Sequence, residues 1–349
     1  MRKIHLIIMG MLTALLVSCE NGDWDFPDYE YQTVYFSYQH PVRTITLGRH
    51  EVFDTSLDNQ YQCQVLATFG GAYDNSEEVV VNFQIDESLL TDVYFDRNGN
   101  TDAQVLPLPE DYYSLSSDQI VIKKGQEIGG FTVQLTDAFF ADPMALEANY
   151  VLPVVMYQVQ NADSILEGRP LVENPHRLVA TDWEVLPKDY VLYALRYVNP
   201  WHGYYLRRGE DVVTGKNGNS ALDATVVRRK EFVEQDEVNL VETASLNAAY
   251  LDLTFKDAEG ANIPCRLLLS FNQDGSCSIS SATEGITASG EGAFVVEGEK
   301  NSWGSKDRDA LYLDYEIDMD LMHVATTDTL VLRDRGVDAA FFTPVYKGN

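Results

Sequence analysis

Thirteen residues, Tyr197 to Gly209 (YVNPWHGYYLRRG), gather five aromatic or imidazole rings and two arginines. A sugar ring has an apolar C–H face, so exposed Trp201 and Tyr205 would stack on it while Arg207 or Arg208 held its hydroxyls or a carboxylate. A later loop, KNSWGSKDRDA, offers Trp303 with Lys306 and Arg308. With Trp201, Tyr205 and Trp303 at one end of a β-barrel and Arg207 or Arg208 beside them, the expectation is a shallow ligand-binding site. The same residues also have a structural reading. On a first strand, Gly203 lets the chain bend and the rings fill a barrel end, and Trp303 caps it. His202 has no recognisable nucleophile near it in sequence, so no catalytic residue is assigned.

Other chemistries find less support. DRNGNTD puts Asp96, Asn98, Asn100 and Asp102 at alternate positions, like the start of a Ca²⁺ loop. Thr101 stands where the turn glycine belongs and Pro107 where the bidentate glutamate belongs, so a polar loop is expected. No Cys or His spacing suits zinc, no nucleotide, protease or esterase motif occurs, and no metal or cofactor is expected. A glycan hydrolase needs two carboxylates at a set separation. Among 54 acidic residues the sequence singles out no such pair.

The first residues, MRKIHLIIMGMLTALLVSC, combine Arg2 and Lys3 with an apolar run too short to span a bilayer, which takes about 20 apolar residues. Leu16-Val17-Ser18-Cys19 resembles a bacterial lipobox. The expectation is a signal peptide over 1–18, lipidation of Cys19 and an acidic tether over 19–32, anchoring the protein to a membrane by lipid alone. Acidic residues directly after the cysteine resemble a surface-export signal, which places the protein at the outer membrane, facing outward. Removing Arg2 and Lys3 from 25 basic residues leaves 23 against 54 acids, a net charge of −31. Such a field repels phosphates, so nucleic-acid binding is excluded, whereas neutral glycans are not repelled. Cys63, Cys265 and Cys277 are expected to be free thiols. If NQDG makes a hairpin, Cys277 pairs near residue 271, about 20 Å along the strand from Cys265, beyond disulfide reach.

These side chains must be carried by strands. Val79, Val81, Phe83 and Ile85 alternate with polar residues, as do Phe131, Val133 and Leu135, and Leu311, Leu313, Tyr315, Ile317 and Met319 in DALYLDYEIDMD. Period two marks half-buried strands. NYVLPVVMYQV is more continuously apolar, and its Pro153 suggests an edge or a bulge. The reading is all-β: an Ig-like antiparallel β-sandwich over 33–165, a linker over 166–188 where the strand signal lapses, and an antiparallel β-barrel over 189–349.

Two resemblances add context. VYFSYQ, LPEDYYSL and NYVLPVVM make the first half resemble the domain of unknown function 1735, an Ig-like module of Bacteroidetes glycan-utilisation loci. From YVNPWHGYYLRRG onward the second half resembles the lipocalin-like domain of unknown function 5627. The resemblance implies a surface lipoprotein beside outer-membrane glycan-import proteins, with a glycan as partner, and it brings no catalytic residue. A glycan hydrolase with its site in the barrel and a lipocalin-like carrier of a small apolar ligand are the alternatives.

Overall fold

The computed structural model describes residues 31–348. Cys19, the leader and nearly all of the acidic tether lie outside the described residues. The fold is nearly all-β, a sandwich-like N-terminal region followed by a closed eight-stranded antiparallel barrel. The α-helix Asp137–Ala141 is a single short turn. No helix among the described residues is long and apolar enough to cross a membrane.

The first sheet is built around Tyr150–Gln160, which pairs antiparallel with Val79–Ile85 on one side and Tyr190–Val198 on the other. Both central strands are buried on both faces, which is why their sequences read as continuous apolar runs. Leu152, Val154 and Met156 enter the main sandwich core with Val191, Leu195 and Tyr197. Val151 and Val155 point the other way and pack with Leu192, Ala194, Val93 and Phe95.

Three expectations are corrected here. Pro153 does not mark an edge: its missing donor falls opposite Asp86, one residue past the end of the neighbouring strand, and the register shift comes later, between Met156 and Gln158. The sheet is not purely antiparallel, since Tyr190–Val198 runs parallel to Pro41–Thr46, and Thr33–Tyr35 parallel to Ser164–Ile165. Tyr190–Val198, which falls in the 189–349 span assigned to the barrel, hydrogen-bonds instead within the first sheet. Its apolar residues alternate between two cores, a demand that a barrel with one solvated face does not make.

The barrel begins at Gly203–Gly215 and ends at Met322–Asp334, and these two strands pair over Tyr204 to Gly215 to close it. Gly203 permits the closure, because a Cβ there would lie 2.7 Å from the Asp334 carbonyl and 2.9 Å from Leu332. Leu251, Leu267, Leu269, Leu311, Leu313 and Ile317 pack in its interior. Cys63, Cys265 and Cys277 are free and buried, and Cys277 pairs with Phe271 as expected. Beyond the last barrel strand the chain returns to the sandwich. Ala340–Phe341 pairs with Pro41–Val42, and Pro344–Tyr346 pairs with Val93–Phe95. We refer to this segment as the strap.

Candidate functional site

Asn199 organises the turn between the two units. Its Nδ2 donates to the Ser245 and Ala248 carbonyls at 3.0 and 2.8 Å, and its Oδ1 accepts from the backbone of Trp201 and His202. Trp201 is thereby pushed into the barrel end, where it stacks flat on Phe271, 3.9 Å between centroids and 7° between planes. Trp201 is 8% exposed and Tyr205 is 0% exposed, and the Tyr205 hydroxyl donates to the Trp201 carbonyl at 2.8 Å. Neither ring offers a face to solvent, so the expectation of stacking platforms at these two positions gives way to a plug.

The two arginines part company, as strand alternation requires. Arg207 points into the barrel, its Nε donating to Asp328 at 2.8 Å and its Nη2 to the Tyr315 hydroxyl at 3.1 Å. Tyr315 donates in turn to Asp328, Arg228 bridges Asp328 and Asp211, and Thr326 donates to Asp211. Two arginines thus face two aspartates in one buried network. Burial pulls the Arg207 pKa down, but Tyr315 and Asp328 more than offset it and hold it above the usual arginine value. Arg208, on the other side of the strand, is paired with Asp236. Both arginines are therefore committed to carboxylates rather than held open for a ligand.

Trp303 lies at the same barrel end as Trp201 and is half-buried. Its Nε1 donates to the Leu332 carbonyl at 3.2 Å, and the buried Arg308 guanidinium lies 3.4 Å above its ring. Arg308 also reaches Glu51 of the sandwich, so this corner joins the two units. Beside it the buried Arg335 donates to four backbone carbonyls, those of Leu47, Arg49, Asn199 and His202, at 2.6–3.0 Å. The DRNGNTD segment is a tight turn: the Asp96 carboxylate accepts from the Gly99 backbone, and Arg97 bridges to Asn100. Among the described residues no group of three or more His, Cys, Asp or Glu is placed to hold a metal ion.

The space these contacts leave open lies between the sandwich, the barrel wall and the strap. This cleft has a volume of about 1040 Å³ and is bordered by Phe95, Arg196, His202, Tyr204, Tyr250 and Phe341 among others. Tyr204, the outward neighbour of the Tyr205 plug, is 40% exposed, and Phe341 on the strap is 57% exposed. Gly336, at φ +59°, lets the Tyr204 ring lie against the strap backbone, where a Cβ would stand 2.8 Å from the ring. The guanidinium of Arg266 covers one face of Tyr250 at 5.0 Å.

Polar groups are spaced among the rings. Arg97 is tied to Glu147 at 2.7 Å and to Asn149 at 2.8 Å. Arg196 donates through Nε to Thr44 at 2.8 Å, and among the described residues no carboxylate pairs with it. Burial lowers its pKa from the usual arginine value. His202 is neutral: burial, then Arg335 and Arg196, push its pKa down to about 4, and its Nδ1 accepts the Thr243 backbone N–H. An imidazole held in that way orders the turn.

Sequence reasoning passed over Tyr204, Tyr250, Arg196 and Phe341. Alternation put Tyr204 opposite Tyr205, which was the available signal. Arg196 and Phe341 carried none, because they reach the cleft only through the unexpected strand and the strap.

Fold and cleft together define a two-unit all-β protein, a sandwich tied to a closed barrel, with an aromatic-lined cleft at the seam. Residues 200–336 match the domain of unknown function 5627, and a family model for an N-terminal domain matches residues 29–163. A Bacteroides ovatus protein of unknown function, known from a crystal structure, is 47% identical, with a TM-score of 0.86 over 91% of this chain and 99% of that chain. This chain belongs to the same family as that protein. Two more B. ovatus structures are far more distant. A multidomain protein including the domain of unknown function 1735 has 11% identity and a TM-score of 0.42, with 88% of this chain and 97% of that chain covered. A candidate carbohydrate-binding protein has 12% identity and a TM-score of 0.29, with 88% and 99% covered. Neither likeness is close enough to carry an argument. No curated protein matches.

Proposed function

We propose that this protein is a non-catalytic glycan-binding lipoprotein of the bacterial surface, working beside outer-membrane glycan-import proteins, with the cleft between sandwich and barrel as its binding site. The observation that carries the reading is the pair of exposed rings, Tyr204 and Phe341, bordering one cleft with Arg196, which makes no salt bridge among the described residues. Rings for C–H faces and spaced amide, hydroxyl and guanidinium groups for sugar hydroxyls are what a carbohydrate needs. A ligand inside the barrel would have to displace packed leucines, which favours the seam over the interior. The anchor rests on the lipobox-like run ending at Cys19 and on the acids that follow it.

A glycan array probed with the leaderless chain tests the site, followed by calorimetry. Tyr204→Ala should weaken binding about tenfold, the loss of about 1.4 kcal/mol, while the melting temperature holds. Unchanged binding by that variant would remove the cleft from consideration, and release of reducing sugars would make the protein a hydrolase. The anchor has its own test, in which Cys19→Ala should free the protein from the membrane fraction.

A further inference from the structure

Two further depressions adjoin the cleft across the strap. Phe341 also borders a second depression of about 320 Å³, lined by Tyr38, His40, Leu186 and Lys188. The Tyr38 ring lies 5.0 Å from that of Phe341, tilted by 45°, yet it remains 64% exposed. Tyr38 in turn borders a third depression of about 290 Å³ over Gln64, Leu66, Thr68 and Tyr193. The strap sets these depressions side by side, since its pairing with Pro41–Val42 is what brings Phe341 beside Tyr38. Side chains from both units and from the strap thus border the three depressions, with an exposed ring shared by each neighbouring pair.

We infer that the three depressions form a single track for an extended, neutral polysaccharide, gripped along its length by Tyr204, Phe341 and Tyr38 in succession. A compact ligand, or a chain end, would need only the cleft. A polyanion would meet the field of a protein with 54 acids against 25 basic residues. Along the path Arg97 is engaged with Glu147 and Arg177 with Asp189 at 2.7 Å, which leaves Arg196 and Lys188 as the path's cations with no salt bridge among the described residues, too few to offset that field. His40 is neutral, its pKa pushed down to about 4 by burial. Each exposed ring adds one C–H stacking contact per sugar that reaches it, so affinity should grow with chain length until all three rings are covered.

The inference rests on the cleft reading, and the experiment separates the two. Calorimetry on the leaderless full chain would use xylan, mannan, β-glucan, starch and dextran, each as polymer and as oligosaccharides from the disaccharide upward. For the sugar that binds, affinity should climb with length. Tyr38→Ala should then lower affinity for the longest oligosaccharide about tenfold, the equivalent of about 1.4 kcal/mol, and leave the disaccharide unaffected. Tyr204→Ala should weaken every length. Phe341→Ala, which keeps the strap's backbone pairing, should behave like Tyr38→Ala on long chains and also weaken short ones. Affinity independent of length, with Tyr38→Ala silent and Tyr204→Ala weakening all lengths, would overturn the track and leave the cleft standing. Binding insensitive to Tyr204→Ala, or no binding of any of these polysaccharides by the wild-type chain, would overturn both.

Discussion

At the scale of single residues, Tyr204 and Tyr205 divide the labour. One ring is sealed beneath Trp201 and the other borders the cleft, because adjacent strand residues face opposite sides. Trp201 belongs with the sealed set. Its replacement by Ala should cost about 3–5 kcal/mol, the range for core tryptophan truncations, read as a drop in the denaturant midpoint. Glycan affinity of the fraction that remains folded should stay near that of the wild type. A folded and fully stable Trp201→Ala chain would contradict the plug. The residue types that do chemistry were legible in the sequence, and so was their clustering around Trp201. Their exposure was not, because a tryptophan that stacks on sugar and one that stacks on Phe271 are the same letter.

At the scale of elements, His202 pins the Asn199–Gly203 turn to the barrel, its Nδ1 accepting from the Thr243 backbone. Its imidazole titrates near 4 in the fold against 6.5 ordinarily. Between those values the unfolded chain binds a proton that the folded chain refuses, so this contribution is intact above about pH 6.5 and is lost as pH falls toward 4. His40 acts in the same direction. Thermal melts from pH 7 to pH 4 should show a smaller drop for His202→Gln, whose amide oxygen can still accept from Thr243, than for the wild type. Equal drops would remove His202 as a source of the acid sensitivity. Strand-level reading succeeded wherever one face is solvated, as in Leu311 to Met319, where alternation is clean. It failed at Tyr190–Val198, where burial on both faces erases the period that would assign the strand to a partner.

For the whole molecule, the strap is the feature that no local pattern could reveal. Ala340–Phe341 and Pro344–Tyr346 are short pairings whose partners lie about 250–300 residues earlier. Deleting the chain from Val337 onward should bare the apolar patch of Phe95 and its neighbours. Hydrogen exchange should then speed up in Pro41–Thr46 and Val93–Phe95, with the barrel strands protected as before. Loss of protection in the barrel alone would show that the strap serves the barrel instead.

The strap also sets an order of events. The sheet begun at Thr33 receives its last pairing from Ala340–Phe341, and Pro344–Tyr346 then pairs with Val93–Phe95 of the same unit, so the barrel is in effect an insertion within the unit that precedes it. A chain delivered N-terminus first, whether from a ribosome or through an export pore, exposes the unfinished Pro41–Thr46 edge for the whole time the barrel is being made. Unpaired edges of that kind recruit other strands. The half-made protein is therefore most open to mispairing just before residues 340–346 arrive, and Phe341, the ring that borders both the cleft and the second depression, falls into place only with them.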